Sequence, residues 1–97
     1  MNLPHNFFNP LIEKAKELIA PSKITLFGSF ARGDEREKSD IDLAFKFDGG
    51  QESWTQFKSW VEDDFKTLRE LDLVNLDEAD ESIVKSVKKE GITLYER

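Results

Sequence analysis

Apolar positions recur along this chain in short bursts whose period keeps changing. Leu11, Ile12, Ala15, Leu18 and Ile19 fall three and four apart, the stripe of an amphipathic helix. Asn9-Pro10 ahead of them reads as an N-cap followed by proline at the first helical position, and Pro21 predicts the helix end. Lys23 to Phe27 is then short, apolar and rich in β-formers, and Gly28 breaks it, which predicts a strand. Residues 30–39 are mostly polar and suit a helical turn followed by an exposed loop. Asp40 to Phe47 predicts a second strand, stopped by Asp48-Gly49-Gly50. Helical spacing returns with Trp54, Phe57, Trp60, Val61, Phe65 and Leu68, and Ser53 and Gln56 stand three apart as a capping box. Leu71 to Leu76 predicts a third strand. Asp80 to about Glu90 predicts a last helix, with Ile83, Val84 and Val87 inward, Asp77 or Asp80 as cap and Gly91 as the residue just past its end. Ile92 to Tyr95 follows as a short extended tail.

This order predicts an α/β fold: a small mixed β-sheet of three to four strands flanked by helices. The link between the first two strands is short and need not be a full crossover, so that pair can be antiparallel. At 97 residues the chain is expected to be a single domain, 1–97, without repeats or a low-complexity linker. Eight Phe and two Trp supply enough volume for one modest core, which argues against disorder throughout. No apolar run reaches the length of a membrane span, and Met1 to Asn9 lacks the regions of a signal peptide. With no cysteine there are no disulfides and no thiolate metal sites. A cytoplasmic protein is expected.

Charge narrows the chemistry. Fourteen basic against twenty acidic residues leave a net charge of −6, which opposes non-specific binding to duplex nucleic acid. The only histidine is His5, in the N-terminal tail, so a histidine triad or zinc site is implausible. Carboxylates, hydroxyls, Lys, Arg or Tyr must carry any reaction.

The informative stretch is Gly28-Ser29, then ten residues, then Asp40-Ile41-Asp42. On one strand, Asp40 and Asp42 would share a face while Ile41 and Leu43 point into the core. Two adjacent carboxylates repel unless a cation sits between them, and hard oxygen ligands suit Mg²⁺, which also takes waters and substrate phosphates. Gly28 would let the backbone approach a ligand, and the Ser29 hydroxyl with nearby N–H groups could hold phosphate oxygens. Phosphate on one side and metal on the other is a layout for phosphoryl or nucleotidyl transfer. A third carboxylate is expected on a neighbouring strand. Asp72 suits it, as general base and third metal ligand, with Asp77 as the rival and a solvated strand-end acid as the plain alternative. Two look-alikes fail. Gly28 and Gly33 have P-loop spacing, but Asp34-Glu35 follows where Lys and Ser/Thr are needed. An EF-hand from Asp40 would need an oxygen ligand at Ala44 and glycine at Phe45.

Gly28-Ser29-Phe30-Ala31-Arg32-Gly33 followed by Ser39-Asp40-Ile41-Asp42-Leu43 resembles the signature of the DNA polymerase β-like nucleotidyltransferase superfamily. The short length resembles its minimal (MNT-type) members, and Leu71-Asp72-Leu73-Val74 is similar to the family's third-carboxylate strand. The likeness spans about residues 24 to 95. It implies two Mg²⁺ ions held by Asp40, Asp42 and Asp72, with ATP as substrate and transfer of a nucleoside monophosphate. It also implies a helical HEPN-domain toxin as partner, with this chain as antitoxin and a toxin tyrosine as one acceptor. The helical domain of larger members is not expected here. Arg32, Arg36 and Lys38 could touch the triphosphate or pair locally and be solvated. Phe30 is expected under the turn rather than stacked on a base. Phe7 and Phe8 could be partner contacts or cover the sheet. Tyr95 is expected to pack, not to accept AMP. The competing readings are a non-catalytic antitoxin that silences its partner by docking, and an enzyme acting on a small molecule or an RNA end.

Overall fold

The computed structural model describes residues 3, 6–36, 39–65, 67 and 69–97. The elements run α1 (Asn9–Leu18), β1 (Pro21–Phe27), α2 (Ser29–Arg32), β2 (Ile41–Phe47), α3 (Gln51–Asp64), β3 (Leu71–Asn75), α4 (Glu81–Glu90) and β4 (Ile92–Glu96). They build one four-stranded sheet in the order β3-β2-β1-β4. β1 is antiparallel to β2 and to β4, while β2 and β3 are parallel. The mixed sheet follows from link length. The segment from β1 to β2 carries a single helical turn, enough to reverse direction, whereas β2 and β3 are joined through all of α3, enough for a crossover. The extended tail expected at Ile92 to Tyr95 is the fourth strand, on the free edge of β1.

Alternation along the strands divides the sheet into two faces. Ile24, Leu26, Ile41, Leu43 and Phe45 are fully buried and join Leu11 and Ala15 of α1, its C-cap Ile19, and Trp54, Phe57 and Val61 of α3 in one core. The Phe45 ring meets those of Trp54 and Phe57 edge-on at 5.4 and 5.3 Å. Phe8 is buried in the same core, and Phe7 packs edge-on against Phe8 and Phe65, so these rings serve packing. Thr25, Phe27 and Ala44, on the alternate positions, are buried outside that core. Helix α4 packs against β1. It has no fully buried residue; Ile83, Val84 and Val87 are half-buried.

Several local expectations need correction. Phe8, not Asn9, is the N-cap of α1, and no side chain caps that helix. The Ser53–Gln56 capping box does not form, because α3 starts earlier, at Gln51, with Gly50 as its N-cap. Phe65 lies just beyond α3 as its C-cap, and Leu68 lies outside the described residues. Asp80 is the cap of α4, its carboxylate accepting from Ile83 N–H at 3.0 Å, while Asp77 pairs with Lys46. Gly91 does not adopt a left-handed conformation (φ −67°). What it supplies is room: a Cβ there would collide with Thr25 Cγ2 and the Val87 carbonyl. The strands also shift by one or two residues: β1 begins at Pro21, β2 at Ile41, and β3 ends at Asn75.

Candidate functional site

Strand register brings the acids together. Phe27 of β1 stands opposite Asp42 of β2, which stands opposite Asp72 of β3. Cross-strand partners project to the same face, so Asp42 and Asp72 are neighbours on the side away from the core. Their carboxylates are within hydrogen-bonding reach of one another. Burial first, then the charges of Asp72 and Asp40, and the hydrogen bond with Asp72 push Asp42 up to about 6, against a smaller opposing pull from Arg32. Asp40 precedes β2 instead of lying on it, and it is exposed. The expected same-strand pair is thus a half-buried carboxylate on the sheet and a second one on the incoming loop.

Gly28 closes the site from the β1 side. Its φ of +79° is a conformation that L side chains rarely adopt, and a Cβ there would run into the Asp42 carboxylate. The chain then winds into α2, where the N–H groups of Ala31 and Arg32 bond to the Gly28 carbonyl and those of Gly33 and Asp34 to the Ser29 carbonyl. Phe30 anchors this turn in the core, 1% exposed. Gly28, Ser29 and Asp42 are therefore held on rigid elements, and Ser29 is half-buried at the start of α2.

The loop from α2 to β2 is tied down by a residue that sequence spacing did not reveal. Arg69 donates to the carbonyls of Arg36 at 3.2 Å and Ser39 at 3.3 Å, and its guanidinium lies 4.9 Å from the centre of the Phe30 ring. These contacts span about thirty residues of sequence, so no local motif announces them. Arg32 has two acidic partners: Nε donates to Asp34 at 3.1 Å and Nη1 to Glu90 at 2.9 Å. Those two hydrogen bonds raise its already high pKa. Arg36 is exposed, and Lys38 lies outside the described residues. Tyr95 is half-buried, with the Lys16 ammonium 5.7 Å from its ring centre.

The donor set suits Mg²⁺ in chemistry, being all carboxylate oxygen beside a cradle open to phosphate. Among the described residues no three Asp, Glu or His side chains form a ready-made metal cluster. Mg²⁺ does not need one, because it commonly binds through one or two carboxylates and takes the rest of its shell from water and substrate phosphates. The raised Asp42 and the close Asp42–Asp72 pair are what one expects of carboxylates set side by side for a cation.

Comparisons with known proteins concern the chain as a whole. MJ1379 of Methanocaldococcus jannaschii, provisionally named a protein adenylyltransferase, is 38% identical over 47 residues. That match spans 48% of this chain and 45% of the relative, less than half of its length. A toxin–antitoxin crystal structure with AMP-PNP contains a chain similar at TM-score 0.72 and 25% identity, over 98% of this chain and 75% of that one. A Y104A mutant of the MntA–HpeT toxin–antitoxin complex is similar at TM-score 0.67 and 26% identity, over 92% and 72%. A complex of a tri-AMPylated Shewanella oneidensis HEPN toxin with its MNT antitoxin shares the fold, at TM-score 0.63, 22% identity and coverage of 94% and 71%. No helix among the described residues is long and apolar enough to cross a membrane. The family model for polymerase beta nucleotidyltransferases matches residues 9–97, which takes in the Gly28 turn, both acid strands and the closing β4, and the chain belongs to that family.

Proposed function

We propose that this chain transfers AMP from ATP to a hydroxyl of a helical HEPN-type toxin, a tyrosine being the acceptor, and that it acts in this way as the antitoxin. The observation that carries the reading is the register of Asp42 with Asp72 beneath a glycine whose missing Cβ leaves room for the Asp42 carboxylate. Family membership supplies the reaction class, and the AMP-PNP-containing and MntA–HpeT neighbours support the nucleotide and the kind of partner.

In the proposed step the acceptor oxygen forms a bond to the α-phosphorus while the bond from that phosphorus to the bridging oxygen breaks. Pyrophosphate leaves with the electron pair, and the hydroxyl proton passes to the Asp72 carboxylate. Asp40, Asp42 and Asp72 would hold two Mg²⁺ ions, which when bound neutralise phosphate charge and lower the cost of the attack. Gly28 and Ser29 would cradle the phosphates at the turn, and Arg32 would face them from the end of α2. Asp72 is exposed, so an acceptor can reach it from solvent.

A second reading, docking without catalysis, draws on the lack of a ready-made three-acid cluster among the described residues. The two are separated by incubating the chain and its cognate helical partner with ATP labelled on the α-phosphate, with Mg²⁺. Label and a matching mass gain on the partner are expected, and both should vanish in Asp42→Asn. A partner that is silenced while taking up no label from any nucleoside triphosphate would establish docking instead. Full loss of binding to a Mg²⁺–ATP analogue in Asp40→Asn/Asp42→Asn, with the fold intact, tests the metal assignment separately.

A further inference from the structure

The sequence leaves the acidic character of this protein unrelieved, yet one cleft reverses it. Arg32 at the end of α2 and Lys85, Ser86, Lys89 and Glu90 of α4 line a cavity of about 610 Å³. Lys85 and Lys89 stand four apart, on one side of the helix, and Ser86 adds a hydroxyl to the lining. Three cations against one acid line the cleft, with Asp34 and Glu81 paired to Arg32 and Lys85, in a chain of net charge −6. Such a local field concentrates anions at one place on a molecule that otherwise repels them.

We propose that this cleft seats the β- and γ-phosphates of the nucleotide, and that Glu90 is the counter-charge those phosphates displace. The inference rests on the nucleotidyl-transfer reading for the α-phosphate and extends it to residues of α4. Arg32 is the bridge: it lines the cleft, and it ends the turn α2 that opens with Gly28 and Ser29 beside the acid site. On this proposal the phosphates run from the acid pair past Arg32 into the cleft.

The existing bonds favour exchange over permanence. Glu90 holds Arg32 Nη1 with a carboxylate whose side chain is only 18% exposed, so Arg32 is aimed along the cleft wall without a ligand. A guanidinium has five donors, and Asp34 and Glu90 engage Nε and Nη1. A phosphate can take Arg32 in a two-pronged grip that a single carboxylate contact does not match. Among the described residues Lys85 is paired only with Glu81, at 3.5 Å and well exposed, a contact worth little against a polyphosphate. Lys88 and Lys89 also offset the negative end of α4, where an anion would otherwise be disfavoured. A triphosphate fills all three cationic positions, whereas AMP reaches none beyond Arg32, so the cleft would select the triphosphate.

The test measures binding of inorganic tripolyphosphate and of AMP to the full chain, with EDTA present so that no metal mediates the contact. Wild type should bind tripolyphosphate, more weakly as salt rises. Lys85→Gln/Lys89→Gln should weaken that binding about tenfold. Glu90→Gln should strengthen it, since it removes a competing charge and frees Arg32. AMP binding should be unchanged in Lys85→Gln/Lys89→Gln. Circular dichroism and melting curves confirm that each variant folds. No tripolyphosphate binding by wild type, unchanged affinity in the double-lysine variant, or weaker binding in Glu90→Gln would overturn the proposal. So would a lysine-dependent preference for an acidic peptide over tripolyphosphate. AMP transfer at an unaltered KM for ATP in the double-lysine variant would remove the cleft and leave the transferase reading standing. Tripolyphosphate binding with the expected signs, but no transfer to the partner, would do the reverse.

Discussion

The two faces of the sheet are written one residue apart on the same strands. On β2, Ile41, Leu43 and Phe45 face the core, while Asp42, Ala44 and Lys46 face the other way. The core face is closed by α1 and α3, with aromatic rings in edge contact and Ile24, Leu26, Ile41, Leu43 and Phe45 fully buried. The opposite face has α4 against it, a helix with no fully buried residue, and it carries a carboxylate pair and ion pairs. Two ends of the free-energy scale meet across one strand. One side holds the fold through area removed from water; the other keeps like charges close, at some cost in stability, because an incoming ligand can use them.

If this division of labour is right, substitutions on the two faces must fail in different ways. Phe45→Ala should cost about 3–5 kcal/mol and leave a marginal or unfolded chain, read by chemical denaturation. Asp72→Asn, on the neighbouring strand and the other face, should lower AMP transfer by a factor of about 10² or more while partner docking and the melting temperature survive. A large loss of stability in Asp72→Asn would break the comparison. Gly28→Ala sits at the seam and should damage both properties. The left-handed conformation costs about 1–3 kcal/mol, and the displaced Asp42 carboxylate should depress transfer beyond what the lost stability explains.

Proton linkage gives a smaller effect of known sign. Asp42 has a folded-state pKa of about 6, above its ordinary value of 3.8. The folded state therefore holds the proton more tightly than the unfolded chain does. Its stabilising contribution is complete below about pH 4 and is lost as pH rises through about 6. Because the group is partly exposed, solvent screening reduces that loss to roughly 1 kcal/mol. Without metal, Asp42→Asn should melt about 4–8 °C higher than wild type at pH 7.5 and show no difference at pH 4. An equal melting temperature at pH 7.5 would mean that the acid face is not strained. The smallest effect belongs to Asp80→Ala, which removes the α4 cap. A fall of a few degrees in melting temperature is expected there, with no change in the Phe45 core.

The core face was the legible one. Periodicity placed α1, the first three strands, the site turn and α4 within one or two residues, because burial against a single neighbour imposes a period. Helix starts were misread where local cap chemistry competed with tertiary contacts. Ser53–Gln56 has the right spacing for a box, but the chain was already helical from Gln51. Gly91 looked like a conformational glycine and is a spatial one, set by Thr25, sixty-six positions earlier in the sequence. In the candidate site, Asp42 and Asp72 could be named from their strands, yet their pairing depends on register, which the pattern leaves open. Arg69 and Glu90 could not be found at all, since their partners are set by the way helices and loops close over the sheet.

The loose seating of α4 has a kinetic side. A helix without a fully buried anchor, followed by an edge strand, can detach in excursions that cost less than unfolding the whole domain. Its amides would exchange with deuterated solvent sooner than those of β1 and β2. A ligand bridging α2 and α4 must first quiet these excursions, so part of its binding energy is spent on order. Protection of the α4 amides then becomes a direct gauge of occupancy, and sensitive to ligand even where the average structure does not move.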